Sequence, residues 1–159
     1  MSARAESLAK QFEAKAAEAT AILGKLSDAD WKKMTEAEKW TVAVTAHHMA
    51  GAHEPIAGIL KTVAAGQSIP NFTMDMLHEA NAKHAREYAG CTKAETLALH
   101  QKGVAAAAAA VRALSDAELD RSGTVLTGVP AMTAQQVVES VLINHITEHL
   151  GSIRKTVGN

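Results

Sequence analysis

Apolar positions recur at three- and four-residue intervals over most of the chain. Between Ala3 and Leu26, the residues Leu8, Phe12, Ala16, Ala19, Ile22, Leu23 and Leu26 share one side of a 3.6-residue period, which predicts a helix with a single buried stripe. The stretch "LSDADW" ends it. Val42, Thr45, Met49, Ala52, Ile56, Ile59 and Val63 repeat the pattern and predict a second helix from Thr41 to Ala65, with Gly66 as its stop. "GQSIPNFT" reads as a loop, and "MDMLHEANAKHAREY" as a short helix before the Gly90 break. Thr92 and Glu95 have the spacing of a capping box. They open a third long helix carrying Leu97, Val104, the alanines Ala105 to Ala110, Val111 and Leu114. The alanine run is a packing feature, since alanine is the best helix former and lets a neighbouring helix approach closely. After the loop "DRSGTVLTGVPAM", Thr133 and Gln136 form a second capping box, and a fourth helix is expected from about Ala134 to Val157.

No stretch alternates in the β-branched and aromatic manner of strands, so the fold class is all-α. Four long helices with apolar faces pack most economically as a four-helix bundle, here expected as one domain over residues 1–159. The segment between Ala65 and Lys93 can travel the length of the bundle. The second and third helices are therefore expected to run parallel, joined by a long crossover that contains the short helix. Pro55 is expected to kink or open the second helix just after His53. Trp31 and Trp40 are read as anchors of the link between helices one and two, and Asp28, Asp30 and Glu36 to Glu38 as cap and surface charges.

Charge and cysteine content narrow the function. A formal net charge of -1 provides no basic patch for nucleic acid and no polybasic membrane anchor. The single cysteine, Cys91, rules out an internal disulfide and a cysteine-based zinc knuckle; a lone thiol with no base beside it is incidental. The start "MSARAESLAK" lacks a signal-peptide core and no apolar run reaches membrane-spanning length, so a cytoplasmic location is expected.

Histidine is where the pattern becomes chemical. "INHITEHL", Ile143 to Leu150, places two imidazoles on successive turns of an apolar segment. On a wheel of about 100° per residue, Val141, Leu142, His145 and His149 fall within roughly 60° of Val138, so both rings are expected in the middle of the buried stripe. Two buried rings need two hydrogen-bond partners or cost a few kcal/mol. One cation satisfies both as a chelate of neutral imidazoles. Further donors lie in "WTVAVTAHHMAGAHEPI". There His48 is about 65° from the middle of the second apolar stripe, His53 about 75° away on the other flank, and His47 nearly opposite and so expected in solvent. His48 and His53 are rivals for a third ligand. His78 and His84 in the connector, and His100 outside the Leu97, Val104, Val111 stripe, read as surface histidines. "HITEH" also spells the inverted zinc-peptidase motif H-x-x-E-H. Glu148, however, lies about 80° round the helix from the two-histidine face, pointing to the side of the bundle.

"WTVAVTAHHMA", with Trp40 ahead of His48, followed by "TAQQVVESVLINHITEHLGSI", resembles the DinB-like superfamily of four-helix metalloproteins. That superfamily includes bacillithiol-type thiol S-transferases and the metal-binding domain of mycothiol-dependent maleylpyruvate isomerase. The resemblance implies that His48, His145 and His149 are the three ligands of a divalent metal ion, zinc or nickel, with at least one coordination position open. Trp40 matches the tryptophan that begins the family's second helix. "PNFTMDMLHEANAKHA" is similar to the connector of the isomerase-like members, where an asparagine such as Asn81 is common. The activity implied is that of a thiol S-transferase: a low-molecular-weight thiol, or water, is activated at the metal and attacks a small electrophile. Maleylpyruvate isomerisation itself is not expected, since no second domain matching the isomerase's C-terminal part is present. A non-catalytic, stress-associated metal-binding bundle acting as a homodimer is the main alternative, and a metal-dependent hydrolase or peptidase a lesser one.

Overall fold

The computed structural model describes residues 1–158, and most of them are helical. Helix α1 (Ala3–Gly24) starts where the Ser2 side chain accepts the Ala5 N–H, and it buries Leu8, Phe12, Ala16, Ala19 and Leu23 as its period requires. One-turn helices α2 (Asp28–Trp31) and α7 (Asp116–Leu119) follow α1 and the third long helix. Each is opened by a serine capping box, Ser27 with Asp30 and Ser115 with Glu118.

The expected second helix is two helices, α3 (Val42–Gly51) and α4 (His53–Ala64), which meet at Ala52. Pro55 has no N–H to offer the Gly51 carbonyl, and its ring crowds that group. The ladder therefore breaks before His53 and not after it. α4 ends in a Schellman arrangement at Gly66, whose φ is 77°, with Gln67 N–H reaching Thr62 O at 3.1 Å. The connector contains α5 (Met74–Glu87), over the stretch expected to be helical, with no buried residue. Then comes α6 (Lys93–Arg112), opened by the Thr92 and Glu95 box. The loop after α7 holds a strand pair the sequence pattern did not predict, β1 (Ser122–Gly123) antiparallel to β2 (Met132–Thr133). The expected fourth helix is α8 (Ala134–Gln136), a π-helical segment over Val137–Ile143, and α9 (Asn144–Val157).

Cross-helix contacts fix the directions. Cys91 Sγ donates to Ala43 O, Leu99 packs on Gly51, and His100 meets His53, so α6 runs parallel to α3 and α4. Lys93 Nζ reaches Gly24 O, whereas Arg112 pairs with Glu6, so α6 is antiparallel to α1. His149 meets Glu38 and His145 meets His48, which sets α9 antiparallel to α3. The result is an up-down-down-up four-helix bundle with α5 in the long crossover, as the length of that segment predicted. Phe12, Leu23, Met49, Leu60, Leu142, Ile146, Leu150 and Ile153 are the largest apolar side chains at its centre. Among the described residues, no helix is long and apolar enough to cross a membrane.

Two faces are not where the wheels put them. On α6 the buried face is Thr96, His100, Gly103, Ala107, Ala110 and Val111, because α1 and α6 approach so closely that small residues occupy the centre and Leu97 and Val104 are pushed to its margin. His100 is accordingly buried, not on the surface. On the last helix, the π turns hydrogen-bond over a wider span than α turns. A constant 100° step from Val138 thus fails before it reaches His145. The buried centre of α9 is Ile146, Leu150 and Ile153, and the two histidines stand half-buried on the flank that faces α3.

Candidate metal centre

His48 on α3 and His145 and His149 on α9 converge. One donor nitrogen from each lies within 4.8 Å of the other two. The His145 Nε2 to His48 Nε2 separation is 3.0 Å. Ring centroids are 4.8 Å apart for His48 and His145, 4.8 Å for His48 and His149, and 4.5 Å for His145 and His149. His53, the rival to His48, points elsewhere.

A single loop supports this cluster from behind. Thr35 N–H donates to Trp40 O, Val42 N–H donates to Lys33 O, and Lys39 adopts a left-handed φ of 58°, so the chain turns sharply between Glu38 and Trp40. The turn aims Glu38 inward. Its carboxylate accepts His149 Nδ1–H at 2.9 Å and Ser152 Oγ–H at 2.6 Å, and its side chain is only 12% exposed. Glu38 is therefore not a surface charge. Burial would raise its carboxyl pKa, but hydrogen bonds from Ser152, His149 and Thr35 outweigh burial and hold it below the usual value. With Nδ1–H committed to Glu38, His149 has Nε2 free for the cluster. Trp40 sets its edge on the His48 ring at 5.2 Å, so it braces the site, while Trp31 Nε1–H ties α2 to Cys91 O.

The donor set suits a cation. Burial lowers the His48 pKa to about 4 and the His145 pKa to about 2, with neighbouring histidines adding to both shifts. These rings stay neutral at physiological pH, the state a metal ligand requires. A tetrahedral ion with bonds of about 2.1 Å needs donors roughly 3.4 Å apart, within the spread from 3.0 Å between His145 Nε2 and His48 Nε2 up to the 4.8 Å limit across the set. His145 Nδ1 is buried with no hydrogen-bond partner.

The remaining histidines fall into other groups. His47, expected in solvent, is buried; its Nδ1 is 2.8 Å from His84 Nε2 and its ring stacks on Tyr88 at 4.1 Å. His84 is half-buried in that contact, and His78 is exposed as expected. His53 and His100 form a second pair, 2.9 Å from Nε2 to Nδ1, inside the core. Glu148 is exposed and accepts Asn144 Nδ2–H, away from the histidines. Without its carboxylate at the cluster, the peptidase reading loses its general base. A cleft of about 610 Å³ between Met34 and Lys155 adjoins Ser152 but touches none of the three histidines.

The family model for the N-terminal domain of mycothiol maleylpyruvate isomerase matches residues 12–142, a span that includes His48 and stops short of His145. No curated protein gives a significant match. Among solved structures, the mycothiol-dependent maleylpyruvate isomerase superposes with a TM-score of 0.75 at 14% identity, over 94% of this chain and 60% of that one. This chain thus corresponds to 60% of the isomerase's length. YfiT from Bacillus subtilis, described as a probable metal-dependent hydrolase with an unusual four-helix bundle topology, superposes with a TM-score of 0.76 at 16% identity, over 97% of this chain and 87% of that one. At such identities the likeness is one of fold.

Proposed function

Since the chain belongs to the mycothiol maleylpyruvate isomerase N-terminal domain family, within the DinB-like four-helix bundles, we propose that His48, His145 and His149 hold a divalent metal ion at which a low-molecular-weight thiol is transferred to an electrophile. The observation that carries this reading is the convergence of three imidazole donors from two helices, with Glu38 holding the Nδ1–H of one of them. A catalytic ion keeps a coordination position open, whereas a structural zinc has four protein ligands. When bound, such an ion supplies Lewis acidity, which brings the pKa of a coordinated thiol or water down to a useful range. The protein's own contribution is orientation. Glu38 and Ser152 lock His149, Trp40 braces His48, and burial between α3 and α9 keeps His48 and His145 uncharged. Imidazole donors suit both zinc and nickel.

A second reading is a bundle that binds the ion without catalysis. It is favoured by the cleft beside Ser152, which is lined by none of the three histidines. Untagged protein separates the two readings. Elemental analysis is expected to find one divalent ion per chain, and His145→Ala to lose it while remaining helical by circular dichroism. Thiol consumption with a generic electrophile is then expected to need both thiol and metal. Metal without a thiol-dependent rate supports the binding protein, ester hydrolysis without thiol supports a hydrolase, and protein that retains no metal overturns the site.

A further inference from the structure

Beside the three-histidine centre, a second pair of imidazoles joins the crossover helix to the bundle. His47 Nδ1 on α3 and His84 Nε2 on α5 face each other at 2.8 Å. Neither belongs to the converging group of three. α5 buries none of its residues, and the side of it that carries Leu77, Asn81 and His84 is only half-buried. The His84 ring nevertheless reaches α3, with its centroid 5.0 Å from that of His47 and, edge-on, 5.6 Å from that of His48.

Both rings are held in place before any ligand arrives. Tyr88 stacks on His47 at 4.1 Å with 20° between the planes and lies 4.8 Å from His84 at 33°, so one phenol ring orders both imidazoles. That removes much of the entropy cost of assembling two donors from separate helices. A hydrogen bond between the facing nitrogens needs only one donor and one acceptor, which many residue pairs supply without burying a histidine. Two imidazoles with converging nitrogens are in addition a chelate for a transition-metal ion. Their separation selects the geometry. Neighbouring corners of a square-planar or tetragonal shell with bonds of about 2.0 Å are roughly 2.8 Å apart, whereas a tetrahedral shell with the same bonds asks for roughly 3.3 Å. The 2.8 Å between His47 and His84 fits the first. His47 is buried, but His84 is half-buried and Tyr88 exposed, so the pair has a wet side from which water completes the shell.

We propose that His47 and His84 form a second cation site, which takes a tetragonal divalent ion, copper(II) or nickel(II), on two protein imidazoles with water in the remaining positions. When occupied, it clamps the crossover helix α5 onto α3 next to His48. With two protein donors against three it binds more weakly than the first centre, so it empties on purification and fills when ion is added. It does not depend on the three-histidine reading, because neither ring is a ligand there.

Copper(II) added at one equivalent to chelator-stripped, untagged protein carrying His145→Ala and His149→Ala tests it, since that background leaves His48 alone at the first centre. Electron paramagnetic resonance is expected to show one bound ion per chain with an axial signal split by two nitrogens, and amide exchange over Met74–Glu87 is expected to slow. Adding His84→Phe keeps a ring against Tyr88 and removes the donor, so the two-nitrogen signal and the slowed exchange are both expected to vanish. His78→Ala, which alters the exposed histidine of the same helix, is expected to change neither. A signal split by one nitrogen, a two-nitrogen signal that survives His84→Phe, or no bound copper overturns the site. If circular dichroism shows the background to be misfolded, the wild-type chain and His84→Phe are compared instead, with excess copper. Two ions per chain are then expected against one. Failure of the three-histidine centre lowers both counts equally, so the difference of one ion still decides, and equal counts overturn the proposal.

Discussion

Glu38 shows how far a single side chain can shape a centre it does not enter. Its carboxylate takes the Nδ1–H of His149 and is itself held by Ser152, so the free nitrogen of His149 has one orientation. Glu38→Gln keeps the shape and one acceptor but removes the negative charge beside the ring. Metal affinity is expected to fall by about 10- to 100-fold in a chelator competition, with the melting temperature of the metal-free protein little changed. Equal affinities would show that the contact is incidental. This partner was not legible in the sequence. Glu38 is 111 positions from His149 and sits among other acidic residues, and its inward aim depends on a left-handed backbone at Lys39 that no composition rule marks. The convergence of His48, His145 and His149 was legible through two motifs together, because their spacing on separate helices admitted a shared cation and the family resemblance favoured His48 over His53. The burial of His47 and His100 was missed since each depends on a neighbour from a distant helix, Tyr88 for one and the α1 backbone for the other.

At the scale of the element, the π segment over Val137–Ile143 decides which way the last helix faces. A π turn accommodates one residue more than an α turn needs, so the buried face upstream, with Val137, Val138 and Leu142, is out of α-helical step with the face downstream. Deleting the exposed Glu139 lets the segment close as ordinary α-helix and rotates one half against the other by about 100°. The variant is expected to keep its helical circular dichroism while losing metal binding or melting at clearly lower temperature, because the core and the histidines can no longer both be satisfied. Unchanged metal affinity and stability would show that the wide turns set no register. Helix existence was readable from period and caps at every long element: Thr92, Thr133 and Gly66 act as their sequence neighbours indicated. Turn width was not, for π and α turns share the same apolar residues.

The whole molecule carries its buried histidines as an acid liability. His48, His53 and His145 have folded-state pKa values of about 4, 3 and 2, against about 6.5 in an unfolded chain. Below pH 6.5 the unfolded chain therefore takes up protons that the folded one refuses, and stability falls as pH falls, by up to about 1.4 kcal/mol per pH unit for each such ring. Urea titrations of chelator-treated protein are expected to show the midpoint dropping steadily between pH 6.5 and 4.5; a flat profile would mean that the rings accept charge in the fold. The bundle architecture and its parallel second and third helices followed from element count and connector length. The close α1 and α6 packing that buries His100 came from alanine and glycine, whose lack of bulk makes their central position hard to see in a hydrophobic wheel.

His48 and His145 stand 97 positions apart in the chain, and the helix that carries the second of them is synthesised well after the first. During translation, His48 leaves the ribosome long before any companion exists, and a lone imidazole grips a cation feebly. On the proposed metal reading, loading can begin only once α9 has swung in antiparallel beside α3. The ion would then act as a closing rivet that joins an early segment to a later one, and a chain cut short before Asn144 should emerge with no grip on metal at all.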